Sequence, residues 1–304
     1  MKLTRHHEEH RGGPVAIVLF MAFCAVVGSS AIGSAAPGSS SGPVASIPAG
    51  QAKQPVYLDL GDSVGMWNNN RSYPNILTGH YRQAVPGLEL VNMACSGETT
   101  ESMMHNSTCA PGGSQLANAV AFLQAHRGDV ALVTMSIGGN DVVSCASAPD
   151  PASCFTTSLA TMKANQEYIL DALRQAAGPS VPIVGMNVFD PLLGDWLGPK
   201  GARSEAMLGV SAVSQLDQAM DEDYAAASSP IVNVEAAFDS TDMTHFVNSR
   251  WGRVPIAVAK ACSLLDIGCR KGASELFGDD PNLAGAVVIA EAFEKAIGHL
   301  RRPA

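Results

Sequence analysis

Five short apolar, β-rich runs separated by segments of helical periodicity restrict this chain to a small set of folds. The runs fall at 56–60, 88–94, 130–137, 182–188 and 231–234. Between them, Leu116, Val120 and Leu123 recur at i, i+4 and i+7, and Val213, Leu216, Met220 and Tyr224 repeat the helical pattern. Strands that alternate with helices predict a parallel sheet covered on both faces. The expectation is therefore an α/β fold, a three-layer α/β/α architecture with a five-stranded parallel sheet. A last helix is predicted over 282–298, with Val287, Ile289, Ala290, Phe293 and Ile297 mostly on one side. The stretch 238–280 reads as a long loop region with one helix near 255–265, and no internal repeat is visible.

Such a sheet can occupy most of a 304-residue chain as one domain, here expected over 55–304. Composition agrees, with 46% hydrophobic and 15% charged residues, which excludes disorder, collagen and coiled coil. Lys2, Arg5 and Arg11 precede the apolar run 15–32 and the small residues Gly33, Ser34, Ala35 and Ala36, so 1–36 reads as an export signal. The apolar run is also long enough for an uncleaved membrane anchor. Phe23 ahead of Cys24 is wrong for a lipoprotein site, and the Ser/Gly/Pro-rich stretch 37–54 reads as a flexible linker. The protein is thus expected to be secreted, or held at the cell envelope if the signal stays attached. The net charge is −9, or −10 without the signal segment, and no Lys/Arg cluster offers a footprint for nucleic acid.

Export to an oxidising compartment gives the cysteines a meaning. Discounting Cys24, six remain in three close pairs, which predicts bridges Cys95–Cys109, Cys145–Cys154 and Cys262–Cys269. No CxxC and no finger-like His spacing occurs, so no metal is expected.

In open parallel sheets ligands bind beyond the carboxyl ends of the strands, so the residues that follow each run carry the chemistry. The first run is followed by Gly61, Asp62, Ser63, Val64 and Gly65, formally a G-x-S-x-G turn. A glycine-bounded turn with a helix-capping serine is the plainer alternative. An α/β-hydrolase elbow would follow several strands, whereas Ser63 follows one. The segment LDLGDSVG instead resembles the first block of the SGNH, or GDSL, hydrolases, whose nucleophilic serine sits in a GDS motif. NMACSGET at 92–99 is similar to the family's second block and GGND at 138–141 to its third. The resemblance extends from about residue 56 to 293, includes VFDP at 188–191, and covers cysteine pairs similar to those of secreted actinobacterial members. It implies a flavodoxin-like sheet and an ester hydrolase of esterase or lipase type, with Ser63 as nucleophile and Gly97 and Asn140 as oxyanion donors. Each glycine or Asn match has a structural alternative in turn geometry.

The last block departs from the family pattern. Pro281, Asn282 and Gly285 match, but Asp280 stands where the family places its general-base His, and Phe277 stands where it places the orienting Asp. Three readings follow. Asp280 acts as base, although a carboxylate of ordinary pKa is a poor acceptor for a serine proton. Alternatively, His245 supplies a relocated base from its loop. In the third, the cleft belongs to an impaired enzyme that binds an ester or glycan ligand. No metal or organic cofactor is implied, and the expected partner is a small-molecule ester, lipid or acylated glycan bound by a monomer. Transfer to an alcohol instead of water would use the same residues. His6, His7 and His10, the sequon 106–108, and the segment 68–70 read as peripheral, and Trp67, Trp196 and Trp251 as core before ligand wall.

Overall fold

The computed structural model describes residues 54–66, 71–107, 109, 113–199, 202–269 and 280–303. The predicted export signal, Cys24, the linker up to residue 53, Trp67, residues 68–70, Thr108 and Phe277 lie outside the described residues.

In chain order the elements are β1 (Val56–Gly61), α1 (Ser63–Met66), α2 (Tyr73–Tyr81), β2 (Glu89–Asn92), α3 (Thr100–His105), α4 (Gln115–Ala125) and β3 (Val130–Ser136). They continue with α5 (Gly139–Val143), α6 (Pro151–Ala177), β4 (Ile183–Met186), α7 (Ala202–Ala226), β5 (Ile231–Val232) and α8 (Val234–Ala237). Last come β6 (Phe246–Ser249), β7 (Gly252–Pro255), α9 (Ile256–Leu264) and α10 (Leu283–Ile297), with short 3-10 turns at Ser144–Ser147 and Pro191–Leu197. The five strands β1–β5 form one parallel sheet in the order β2-β1-β3-β4-β5, as the alternation of runs and helices predicts.

Side-chain alternation along each strand sorts the core into two layers. Tyr57 of β1 and Val184 and Met186 of β4 face α2, α9 and α10, where Tyr73, Leu77, Val258, Ile289 and Phe293 are buried. Leu58, Leu60, Val133, Met135 and Ile183 face the other way, onto Leu116 and Leu123 of α4, Ile169 and Leu173 of α6, and Tyr224 of α7. Tyr73 and Phe293 stack at 4.8 Å, joining α2 to α10.

The last helix begins after its cap Asn282, whose side chain accepts from the amides of Ala284 and Gly285. Ile289, Ala290 and Phe293 are buried as expected, but Val287 is exposed, because at about 100° per residue it falls to the side of the face those three bury. The expected helix within 238–280 is α9. The same stretch also contains the antiparallel hairpin β6–β7, which weak local patterning did not signal. All three cysteine pairs sit at bridging distance, with Cα separations of 5.9, 5.5 and 5.5 Å in chain order. No helix among the described residues is long and apolar enough to cross a membrane.

Candidate active site

The carboxyl end of β1 is built around Gly61. Its φ of +118° brings its backbone against β3, and a side chain there would collide with the Ser136 carbonyl oxygen. Only glycine satisfies both conditions. Asp62 follows, its amide donating to the Ser136 carbonyl at 2.8 Å. Its carboxylate accepts from the Val64 amide and the Ser136 hydroxyl, both at 3.1 Å. The turn so braced delivers Ser63, half-buried, as the first residue of α1.

The second and third strand ends meet beside this turn. Gly97 takes a left-handed φ of +72° and is exposed. Two residues on, Thr99 caps α3 in a reciprocal capping box with Ser102. Asn140, near the start of α5, donates from Nδ2 to the Glu98 carbonyl at 3.0 Å. Its neighbour Asp141 accepts from the Thr100 amide, 3.0 Å from Oδ2, and from the Thr100 hydroxyl. Burial pushes the Asp141 carboxyl up, against the lowering effect of these bonds. The GGND and SGET segments are thus tied to each other directly.

Ser63, Asn140 and Asp280 line one cleft of about 580 Å³. Much of its wall is apolar, from Val64, Ile137, Val142, Val143 and Phe155 on one side to Val188, Leu192, Leu208, Ala212 and Val213 on the other. Asp280 is buried at the edge of the site, its carbonyl accepting from the Asp266 amide at 2.9 Å and the next residue, Pro281, bridging to Leu265. Gly97 lies outside the cleft walls, next to the residue that holds Asn140. His245 is outside them too, and its side chain is 80% exposed. Among the described residues no hydrogen bond joins the Ser63 hydroxyl to Asp280 or His245. Trp251 is core, its indole donating to the Cys269 carbonyl, and Trp196 packs against the core under Arg203.

Several residues that sequence reasoning did not single out line the cleft, brace it from below, or pair with a candidate base outside it. Asp190 of the VFDP segment lines the cleft, caps the 3-10 turn through Leu192 at 2.8 Å, and is pushed up by burial to about 7. Asp242 lies three residues before His245 and pairs with it, a D-x-x-H spacing visible in the sequence. Asp59, beneath the Ser63 turn, accepts from the Tyr73 and Thr134 hydroxyls at 2.6 and 2.5 Å and is pushed up by burial to about 8. Cys95, Glu98 and Cys109 form the single cluster of metal-ligand type among the described residues. Its two sulfurs are a disulfide, and Glu98 is occupied by hydroxyl and amide donors, so it does not suit a metal.

Comparison with known proteins gives a consistent result. Residues 60–249 match the model of the GDSL-like lipase/acylhydrolase family, a segment that holds Ser63, Gly97, Asn140, Asp242 and His245 and ends before Asp280. Among solved structures, the extracellular lipase of Streptomyces rimosus is similar over 80% of this chain and 99% of its own, at 15% identity and a TM-score of 0.51. Phospholipase A1 of Streptomyces albidoflavus NA297 is similar over 80% and 99%, at 14% identity and a TM-score of 0.50. At such identities the likeness speaks for the fold. A search of curated proteins finds no sequence match.

Proposed function

Because the chain belongs to the GDSL-like lipase/acylhydrolase family, we propose that it is a secreted serine ester hydrolase that works by acyl transfer through Ser63. The observation that carries this reading is the convergence of Ser63, Asn140 and Asp280 on one apolar cleft. In the proposed reaction the Ser63 hydroxyl attacks an ester carbonyl, the alcohol leaves, and water releases the acid from the acyl-enzyme. Negative charge on the former carbonyl oxygen would be met by the Gly97 amide and the Asn140 side chain. Asp280, one of the carboxyls on the cleft wall, would take the serine proton and hand it to the departing alcohol. The apolar walls favour a fatty acyl ester over an acetylated sugar, in keeping with relatives named as a lipase and a phospholipase A1. Secretion is supported by the three cysteine bridges.

A second reading has its own support. Asp280 stands where the family pattern has a histidine, a weaker proton acceptor in a place built for a stronger one, as in a cleft that binds an ester or glycan without turning it over. Hydrolysis of p-nitrophenyl acetate, butyrate and octanoate by the native protein, Ser63→Ala and Asp280→His separates the two. Turnover that Ser63→Ala abolishes supports the hydrolase. An inert native protein that gains Ser63-dependent turnover on Asp280→His supports the binding protein.

A further inference from the structure

Gln115, the first residue of α4, is almost fully buried beneath the Ser63 turn, although nothing in the proposed reaction uses it. Its Oε1 accepts from the Gly61 amide at 2.7 Å, and its Nε2 donates to the Gly61 carbonyl at 3.0 Å. One side-chain amide thus pairs with both backbone groups of a residue, as a neighbouring strand would. The need is structural. Register pairing of β1 with β2 ends at Asp59 and Asn92; past it the Gly61 carbonyl still accepts from the Cys95 amide at 2.9 Å, shared with Gln115, whereas the Gly61 amide turns to the Gln115 side chain. A buried backbone group left without a partner costs about 1–3 kcal/mol.

The same Nε2 also donates to Glu98 Oε2 at 3.2 Å. Glu98 is buried, and its carboxylate accepts from the Ser102 and Ser107 hydroxyls. Its backbone carbonyl receives the Asn140 side chain. A continuous chain of hydrogen bonds therefore runs from Gly61, two residues before the nucleophile, through Gln115 and Glu98 to the oxyanion donor.

We infer that Gln115 is a positioning residue: through Gly61 and Glu98 it sets the Ser63 turn and Asn140 in register with each other. The inference rests on the hydrolase reading for its effect on rate. Its structural content, the coupling of Gly61 to Asn140, stands apart from that reading. A transition state that needs nucleophile and donors placed together loses rate when either shifts by about 1 Å.

The test is Gln115→Glu, which keeps the shape and the acceptor, removes both Nε2 bonds and sets a carboxyl against Glu98. It is compared with Glu98→Gln/Gln115→Glu, which restores an amide–carboxyl pair. On the p-nitrophenyl ester best turned over by the native protein, the single variant is expected to lose about 10- to 100-fold in kcat with KM within about twofold. The double variant is expected to regain at least tenfold while the Tm values of the two variants agree within a few degrees. A single variant with native kcat, or a loss that follows Tm and is not rescued, overturns the inference. If the native protein hydrolyses no ester, it is the hydrolase reading that fails, and the coupling is judged by NMR-detected hydrogen exchange. Gln115→Glu should then speed exchange at the Asn140 side-chain amide, which Gln115 does not touch; unchanged exchange there overturns the inference.

Discussion

His245 Nδ1 lies 2.6 Å from Asp242 Oδ2, and the other oxygen of that carboxylate accepts from the amides of Thr244 and His245 at 3.1 and 3.0 Å. These bonds hold the Asp242 carboxyl well below the usual carboxylate range, the backbone bond from His245 being the largest cause. The pair has the spacing of an orienting acid and a base, yet it faces solvent and is absent from the walls around Ser63. Asp280 is on those walls. We therefore expect Asp280→Ala to remove at least about 100-fold of any ester turnover, the scale of general-base catalysis, and His245→Ala to leave it within about threefold. The reverse pattern in kcat would transfer the base role to His245.

The cleft walls make chain length a second readout. Ala212 sits on α7 against the cleft, half-buried and small. Ala212→Trp should lower kcat/KM for octanoate by at least about tenfold, because the lost cleft volume forfeits burial of acyl methylenes at about 0.8 kcal/mol each. Acetate turnover should remain near native. An equal loss on both esters would show that the acyl chain lies elsewhere.

Stability should depend on pH through Asp59. Burial is the leading cause that raises its carboxyl from 3.8 to about 8, outweighing the hydrogen bonds from Thr134 and Tyr73. Between those two values the folded protein keeps a proton that the unfolded chain has released, so this contribution to stability is full at low pH and is lost as pH rises toward about 8. The slope for one such group is about 1.4 kcal/mol per pH unit. Asp59→Asn keeps an acceptor for the two hydroxyls and removes the titration. Thermal melts from pH 5 to pH 8 should show a shallower decline for the variant, and parallel curves would count against the assignment.

The two site glycines should respond differently to alanine. At Gly61 a methyl group collides with the Ser136 backbone, and the φ of +118° is itself unfavourable for any side chain. Gly61→Ala is expected not to accumulate as folded protein. At Gly97 nothing lies within 4 Å of the added carbon, so the cost is that of a left-handed φ alone, about 1–2 kcal/mol. Gly97→Ala should fold with a Tm lower by a few degrees, as measured by circular dichroism.

Much of this architecture was legible because its causes are local. The five runs became the five strands, Asn282 and Gly298 bound the last helix, and cysteines 14, 9 and 7 residues apart paired with their neighbours. The β6–β7 hairpin was not legible, since its strands are four residues each and only partly buried, which leaves little hydrophobic alternation to read. The exposure of Val287 likewise depends on which way α10 is turned when it packs, which periodicity places only approximately.

The sequence by itself determined the parallel sheet, the positions of its strand ends, the presence of Ser63 and Asn140 at those ends, and that of Asp280 just ahead of the last helix. Periodicity and turn chemistry act over a few residues, so they survive in a linear string. Tertiary structure alone decided that those three share an apolar cleft, that His245 pairs with Asp242 away from it, and that Gln115 grips Gly61 from 54 positions along the chain. Such meetings are settled by how packed layers bring distant segments together, and buried backbone groups at a strand end must then take whichever donors and acceptors packing supplies.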